Sequence, residues 1–172
     1  MPESLKALIR DIPDFPKKGI VFKDITTLLA DGPAFAHAID LLAARYQSRG
    51  IDRIVAMEAR GFILGAPLAV RLGAGFVPVR KKGKLPHETI EETYALEYGQ
   101  DTLQMHRDGL IQGHRVLVVD DVLATGGTAA AVARLVQTLK ADIVECAFLM
   151  ELGFLNGRAK LEPIPTFALI QY

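Results

Sequence analysis

Two adjacent carboxylates, Asp120 and Asp121, end the apolar run Val116-Leu117-Val118-Val119 and stand just ahead of the loop Ala124-Thr125-Gly126-Gly127-Thr128. An Ala-rich stretch with helical composition follows from Ala129 to Lys140. A buried strand, a small-residue turn and a helix start make an anion site. The first N–H groups of a helix lack partners, and its dipole is positive at that end. Gly126 and Gly127 let the backbone approach a ligand, and Thr125 and Thr128 add hydroxyl donors. Carboxylates repel phosphate, so the acidic pair suits sugar hydroxyls or a hydrated divalent cation. An ordinary strand-to-helix turn explains the apolar run but not paired Asp followed by Thr-Gly-Gly-Thr.

Two cationic groups extend this chemistry. Arg60 follows the short strand Arg53–Met57 at a turn, where the carboxyl ends of parallel strands gather ligands. A guanidinium there can grip a diphosphate with a bidentate fork, or it can pair with Glu58 on the surface. Arg80, Lys81, Lys82 and Lys84 follow the strand Gly75–Arg80, and they suit either a departing diphosphate or a solvated basic loop.

Strand-like and helix-like segments alternate around these groups, which predicts an α/β fold with a twisted, mostly parallel sheet flanked by helices. Asp31-Gly32-Pro33 opens a helix running to Gln47. Phe62 to Leu72 has helical period despite Pro67. Thr102–His106, Arg115–Val119 and Ile143–Met150 read as strands, and Thr166–Ile170 as an edge strand. Two stretches break the alternation: the proline-containing segment Ile12 to Leu29, and the long polar loop Lys81 to Gly99. Such stretches suit a substrate-capping segment and an active-site lid.

At 172 residues the chain suits one domain with a substantial core. A formal net charge of zero implies no general attraction to nucleic acid or membrane, and no apolar run is long enough to span a bilayer. The start, Met1-Pro2-Glu3-Ser4-Leu5-Lys6, lacks a signal-peptide pattern. The single cysteine, Cys146, lies in an apolar run and reads as a buried core thiol. A reducing, cytoplasmic setting fits.

The run Val116 to Thr128 resembles the phosphoribosyl diphosphate (PRPP) motif of the type I phosphoribosyltransferases. The resemblance implies that Ala124, Thr125, Gly126, Gly127 and Thr128 hold the ribose 5′-phosphate, and that Asp120 and Asp121 face the ribose hydroxyls. Glu58 to Gly61 matches the family's diphosphate loop, which often holds a strained or cis peptide, with Arg60 as its cation. Lys84-Leu85-Pro86 followed by Tyr94-Ala95-Leu96-Glu97-Tyr98-Gly99 is similar to the mobile catalytic loop of the adenine phosphoribosyltransferases. This implies that Glu97 is the acid or base acting on the purine, that Tyr98 closes over the site, and that Arg80, Lys81 and Lys84 serve the diphosphate.

The segment Ile12 to Leu29 resembles the adenine-specific hood. There Val21 and Phe22 would sandwich the base and the Lys23 backbone would read its amino group; the alternative is that Val21 and Phe22 are ordinary core. Lys23 stands where some relatives carry Arg. The family implies Mg²⁺ held mainly by PRPP and water, substrates and products adenine, PRPP, AMP and diphosphate, and a homodimer. Rival readings are a transferase for another base, disfavoured by the hood and the Tyr-x-Leu-Glu-Tyr-Gly loop, and a PRPP-sensing regulator, for which no DNA-binding segment is evident.

Overall fold

Apolar residues alternate between two faces along the central strands, and this alternation organises the molecule. In the computed structural model, which describes residues 2–95 and 99–172, the chain begins with α1 (Pro2–Lys6), β1 (Arg10–Pro13), β2 (Val21–Asp24), α2 (Thr26–Ala30) and α3 (Gly32–Tyr46). It continues through β3 (Arg53–Met57), α4 (Arg60–Leu72), β4 (Gly75–Lys81), β5 (Thr89–Ala95), β6 (Gln100–His106) and β7 (Arg115–Leu123). Then come α5 (Gly127–Thr138), β8 (Asp142–Glu151), two 3₁₀ turns (Gly153–Leu155 and Gly157–Lys160) and β9 (Thr166–Gln171).

The main sheet has the order β5-β6-β4-β3-β7-β8-β9. Its strands β4, β3, β7, β8 and β9 are parallel, and β6 runs antiparallel to β4 and β5. The mostly parallel sheet and the edge position of β9 agree with the sequence reading. Ile54, Ala56, Leu117 and Val119 pack with Leu42 of α3 and Leu64 and Leu68 of α4. Val55, Val116 and Val118 pack with Val132 and Leu135 of α5 on the other face. Strands buried on both faces read as continuous apolar runs, which is why they stand out in the sequence. The Asp31 carboxylate caps α3 by accepting the Ala34 N–H at 3.0 Å.

Two elements differ from expectation. The loop from Lys81 to Gly99 contains β5, paired with β6 from Thr89 to Ala95. Ile90 and Tyr94 face inward and are buried, and Glu92 between them pairs with Arg134 of α5 at 2.5 Å. A carboxylate at an inward position hides the strand's alternation. In turn, β7 does not end at Val119 but carries both aspartates, because Val122 and Leu123 still pair with Met150 and Glu151 of β8. Cys146 is fully buried, and burial followed by the nearby Glu145 charge pushes its thiol up to about 12. It is a core thiol, as read from the sequence.

Candidate active site

The loop between β7 and α5 is shaped by its backbone. Gly126, the residue before α5, has a φ of 79° and, being glycine, brings no side chain to cap the helix. Among the described residues the first N–H groups of α5 therefore face the loop without a side-chain partner, as an anion cradle requires. A Cβ on Gly126 would run into the Gly157 carbonyl oxygen, and one on Gly157 into the Ala124 carbonyl oxygen. Two backbones thus touch where the second 3₁₀ turn supports the loop. That turn is held by Arg158, whose Nε and Nη2 donate to Glu151 at 2.8 and 2.7 Å; Gln171 donates to the same carboxylate at 2.9 Å.

Arg60 opens α4 and its Nε donates to the buried carboxylate of Asp121. The partner is not Glu58, the sequence neighbour. Glu58 instead accepts the Lys81 backbone N–H at 2.7 Å and faces Arg80, with Nε–Oε1 at 3.4 Å. The Glu58–Ala59 peptide is cis, as the resemblance implies for this loop. Gly61 lets α4 settle against β7, since a Cβ there would lie 2.9 Å from Asp120 Oδ1. Asp120 accepts the Asp121 N–H at 2.9 Å. Burial, then repulsion from Asp121, push the Asp120 carboxyl well above the ordinary aspartate range. Burial works against the Arg60 charge, but Asp121 and then Asp120 hold its pKa above the ordinary value.

These groups line a cavity of about 240 Å³: Glu58, Arg60, Asp120, Asp121 and every residue from Ala124 to Thr128. A second cavity of about 150 Å³ is lined by Val21, Phe22, Lys23, Met150 and Leu152. The two share Arg60, Asp121, Val122 and Ala124 as walls. The Arg60 guanidinium carbon lies 5.8 Å from the Phe22 ring centroid. Val21 is 48 % exposed, so it is not core packing. A third cavity, about 570 Å³, runs on from Ile20, Val21 and Lys23 to Leu152, Phe154, Leu155 and Tyr172.

Arg80, Lys81 and Lys84 do not line the first cavity. Arg80 faces Glu58, and Lys81 pairs with Asp101 at 3.2 Å. Glu97 and Tyr98 lie outside the described residues. The end of β5 that leads to them is nonetheless at the loop, with Tyr94 Oη 3.2 Å from Thr128 Oγ1. The sequence reading missed Glu58 as the brace of the basic segment, and missed Leu152, Phe154, Leu155 and Tyr172. A signal was present: Gly153-Phe154-Leu155-Asn156-Gly157 sets two large apolar residues between glycines, and Phe154 is 74 % exposed.

Residues 24–165 match the model of the phosphoribosyl transferase domain family. The chain is 61% identical over 170 residues to the adenine phosphoribosyltransferase of Syntrophotalea carbinolica, covering 99% of each. It superposes on the adenine phosphoribosyltransferase structure from Thermoanaerobacter pseudethanolicus with a TM-score of 0.97, 54% identity and complete coverage of both chains. It also matches the Saccharomyces cerevisiae adenine phosphoribosyltransferase complexed with an imino-altritol bisphosphate and adenine, at a TM-score of 0.94 and 42% identity over 98% of this chain and 97% of that one.

Proposed function

The chain belongs to the adenine phosphoribosyltransferase family, a group of pentosyltransferases that join adenine to PRPP and release AMP and diphosphate in purine salvage, and on that premise we propose how its residues divide the work. One observation carries the proposal: the phosphate-loop cavity and the cavity under Val21–Lys23 share Arg60, Asp121, Val122 and Ala124. A sugar phosphate in the first and a base in the second meet at that common wall, where the new bond forms.

Ala124 to Thr128 receive the 5′-phosphate at the start of α5. Asp120 and Asp121 accept the ribose hydroxyls and place negative potential beside the sugar as it becomes cationic. Arg60 takes the diphosphate. Arg80, Lys81 and Lys84 draw it from further out, and Glu58 fixes their segment. Val21 and Phe22 flank adenine, and the Lys23 backbone reads its amino group. Glu97, two residues beyond Ala95, handles the proton on the imidazole ring of the base, and Tyr98 covers the site.

The two aspartate side chains offer hard oxygen donors, and among the described residues no group of three or more metal-ligating side chains occurs. Mg²⁺ would be carried mainly by PRPP oxygens and water, with Asp120 and Asp121 the side chains that would accept hydrogen bonds from its bound waters. When bound, the ion neutralises diphosphate charge. One domain spans residues 1–172, with a hood over 12–29 and, within 81–99, a lid confined to the passage from β5 to β6. A homodimer is supported by exposed Ile63 and Val70, two turns apart on α4. Among the described residues no helix is long and apolar enough to cross a membrane.

The test is incubation with PRPP, Mg²⁺ and each purine base in turn. AMP from adenine is expected; nucleotide from hypoxanthine but none from adenine overturns the assignment. Glu97→Gln is expected to slow turnover at least tenfold with PRPP binding retained, and unchanged turnover removes Glu97 from the chemistry.

A further inference from the structure

The hairpin that receives the base is poorly supported by its own strands. Among the described residues β1 and β2 pair only with one another, and a lone two-stranded hairpin is marginal in water. It must be tied to the rest of the molecule, and one residue outside it makes a tie. The Lys23 ammonium lies 4.1 Å from the centroid of the Tyr172 ring, and Lys6 of α1 lies 4.2 Å from the same ring. Lys23 also meets Asp11, its register partner on β1, at 2.6 Å, and its side chain is only 14% exposed. The Lys23 side chain is therefore committed to Asp11 and Tyr172.

The main chain of Tyr172 grips the opposite wall. Its N–H donates to the Glu151 carbonyl, and its carbonyl accepts the Gly153 N–H, both at 3.0 Å. Gly153 leads directly into Phe154 and Leu155. The 570 Å³ cavity lies between these walls, with Ile20, Val21 and Lys23 on one side and Leu152, Phe154 and Leu155 on the other; Tyr172 also lines it.

We propose that Tyr172 is a positioning residue for the purine: its ring holds the hairpin, its backbone holds the 152–155 segment, and together they set the distance between Val21 and Lys23 on one side and Leu152 on the other, residues that also wall the smaller base cavity. The inference rests on the reading that Val21–Lys23 receive adenine. The cation–π attraction from Lys23, added to its ion pair with Asp11, is strong enough to hold a solvent-facing hairpin in one position without fixing the whole fold, while Lys6 ties the same ring to α1.

The test is steady-state kinetics on the full chain, with adenine and PRPP varied separately. Tyr172→Leu removes the ring and is expected to raise the KM for adenine about tenfold, with kcat and the KM for PRPP within twofold of the parent. Tyr172→Phe keeps the ring face and is expected to bring the adenine KM back to within about twofold. Lys23→Met breaks the same contact from the other side, gives the same rise, and decides the matter if Tyr172→Leu does not fold.

An unchanged adenine KM in Lys23→Met and in any folded Tyr172→Leu overturns the proposal. So does an equal rise for adenine and PRPP, or a Tyr172→Phe protein as impaired as Tyr172→Leu. If the parent makes no AMP from adenine, the functional reading fails and this inference falls with it. If the parent uses adenine and the variants do not shift its KM, this inference alone fails.

Discussion

Asp120 and Asp121 are sequence neighbours with different surroundings. Asp121 has Arg60 as an ion-pair partner, whereas Asp120 has the Asp121 backbone N–H and a carboxylate beside it. Burial and that like charge raise the Asp120 pKa in the folded protein. The folded state then binds more protons than the unfolded chain, so this group lowers stability as pH rises from about 4 through its raised value. Asp120→Asn keeps the acceptor for the Asp121 N–H and removes the charge. The expected result is a melting temperature a few degrees above the parent at pH 7–8, a gap that closes near pH 4, and turnover at least tenfold lower. Equal melting curves at pH 8 would refute the raised pKa. That Asp120, Asp121 and the Thr-Gly-Gly-Thr loop meet at one cavity was legible because they are neighbours in sequence. The partner of Arg60 was not: Glu58 is two residues away and Asp121 sixty-one, and only the folded sheet decides between them.

At the scale of the element, adjacent glycines with the same sequence signature do different work. Gly126 combines a φ of 79° with a neighbouring backbone, Gly157, that leaves no room for a Cβ. Gly127 begins α5, and the nearest atom to a Cβ there is Tyr94 Cδ2 at an ordinary 3.7 Å. Gly126→Ala is expected to cost about 2 kcal/mol or more, lowering the melting temperature by several degrees and raising the KM for PRPP. Gly127→Ala is expected to leave the melting temperature unchanged or slightly raised, because Ala favours the helix. Differential scanning calorimetry separates the two, and equal losses would remove the close contact with Gly157 as the reason. The contrast also shows why β5 escaped a reading by pattern. Its inward Glu92 is explained only by Arg134, which comes from a different element forty-two residues on.

For the whole molecule, the parallel central strands were readable as apolar runs, but their order was not. β3 lies between β4 and β7, so one of its neighbours is distant in the chain, and pairing of that kind leaves no local mark. The same holds for the polar contacts that tie the layers together. Glu145, buried near the start of β8, accepts Nε and Nη2 of Arg45 at 2.8 and 3.0 Å and the Tyr46 hydroxyl at 2.6 Å, fastening α3 to the sheet. Burial opposes its charge, but Arg45 and Tyr46 outweigh this and hold it below the ordinary glutamate range. Glu151 at the other end of β8 is lowered in the same way, with Arg158 and Gln171 outweighing burial. A lowered folded pKa means that the unfolded chain takes up protons first. The stabilisation is present above about pH 4.3 and is lost as pH falls through the folded values. Glu145→Gln keeps the shape but not the charge. Urea unfolding at pH 7 is expected to show a loss of about 1–3 kcal/mol, shrinking steadily as pH is lowered towards 3 because the parent's own carboxylate becomes neutral. A difference that stayed constant from pH 7 to pH 3 would mean that Glu145 contributes through packing and not through its charge.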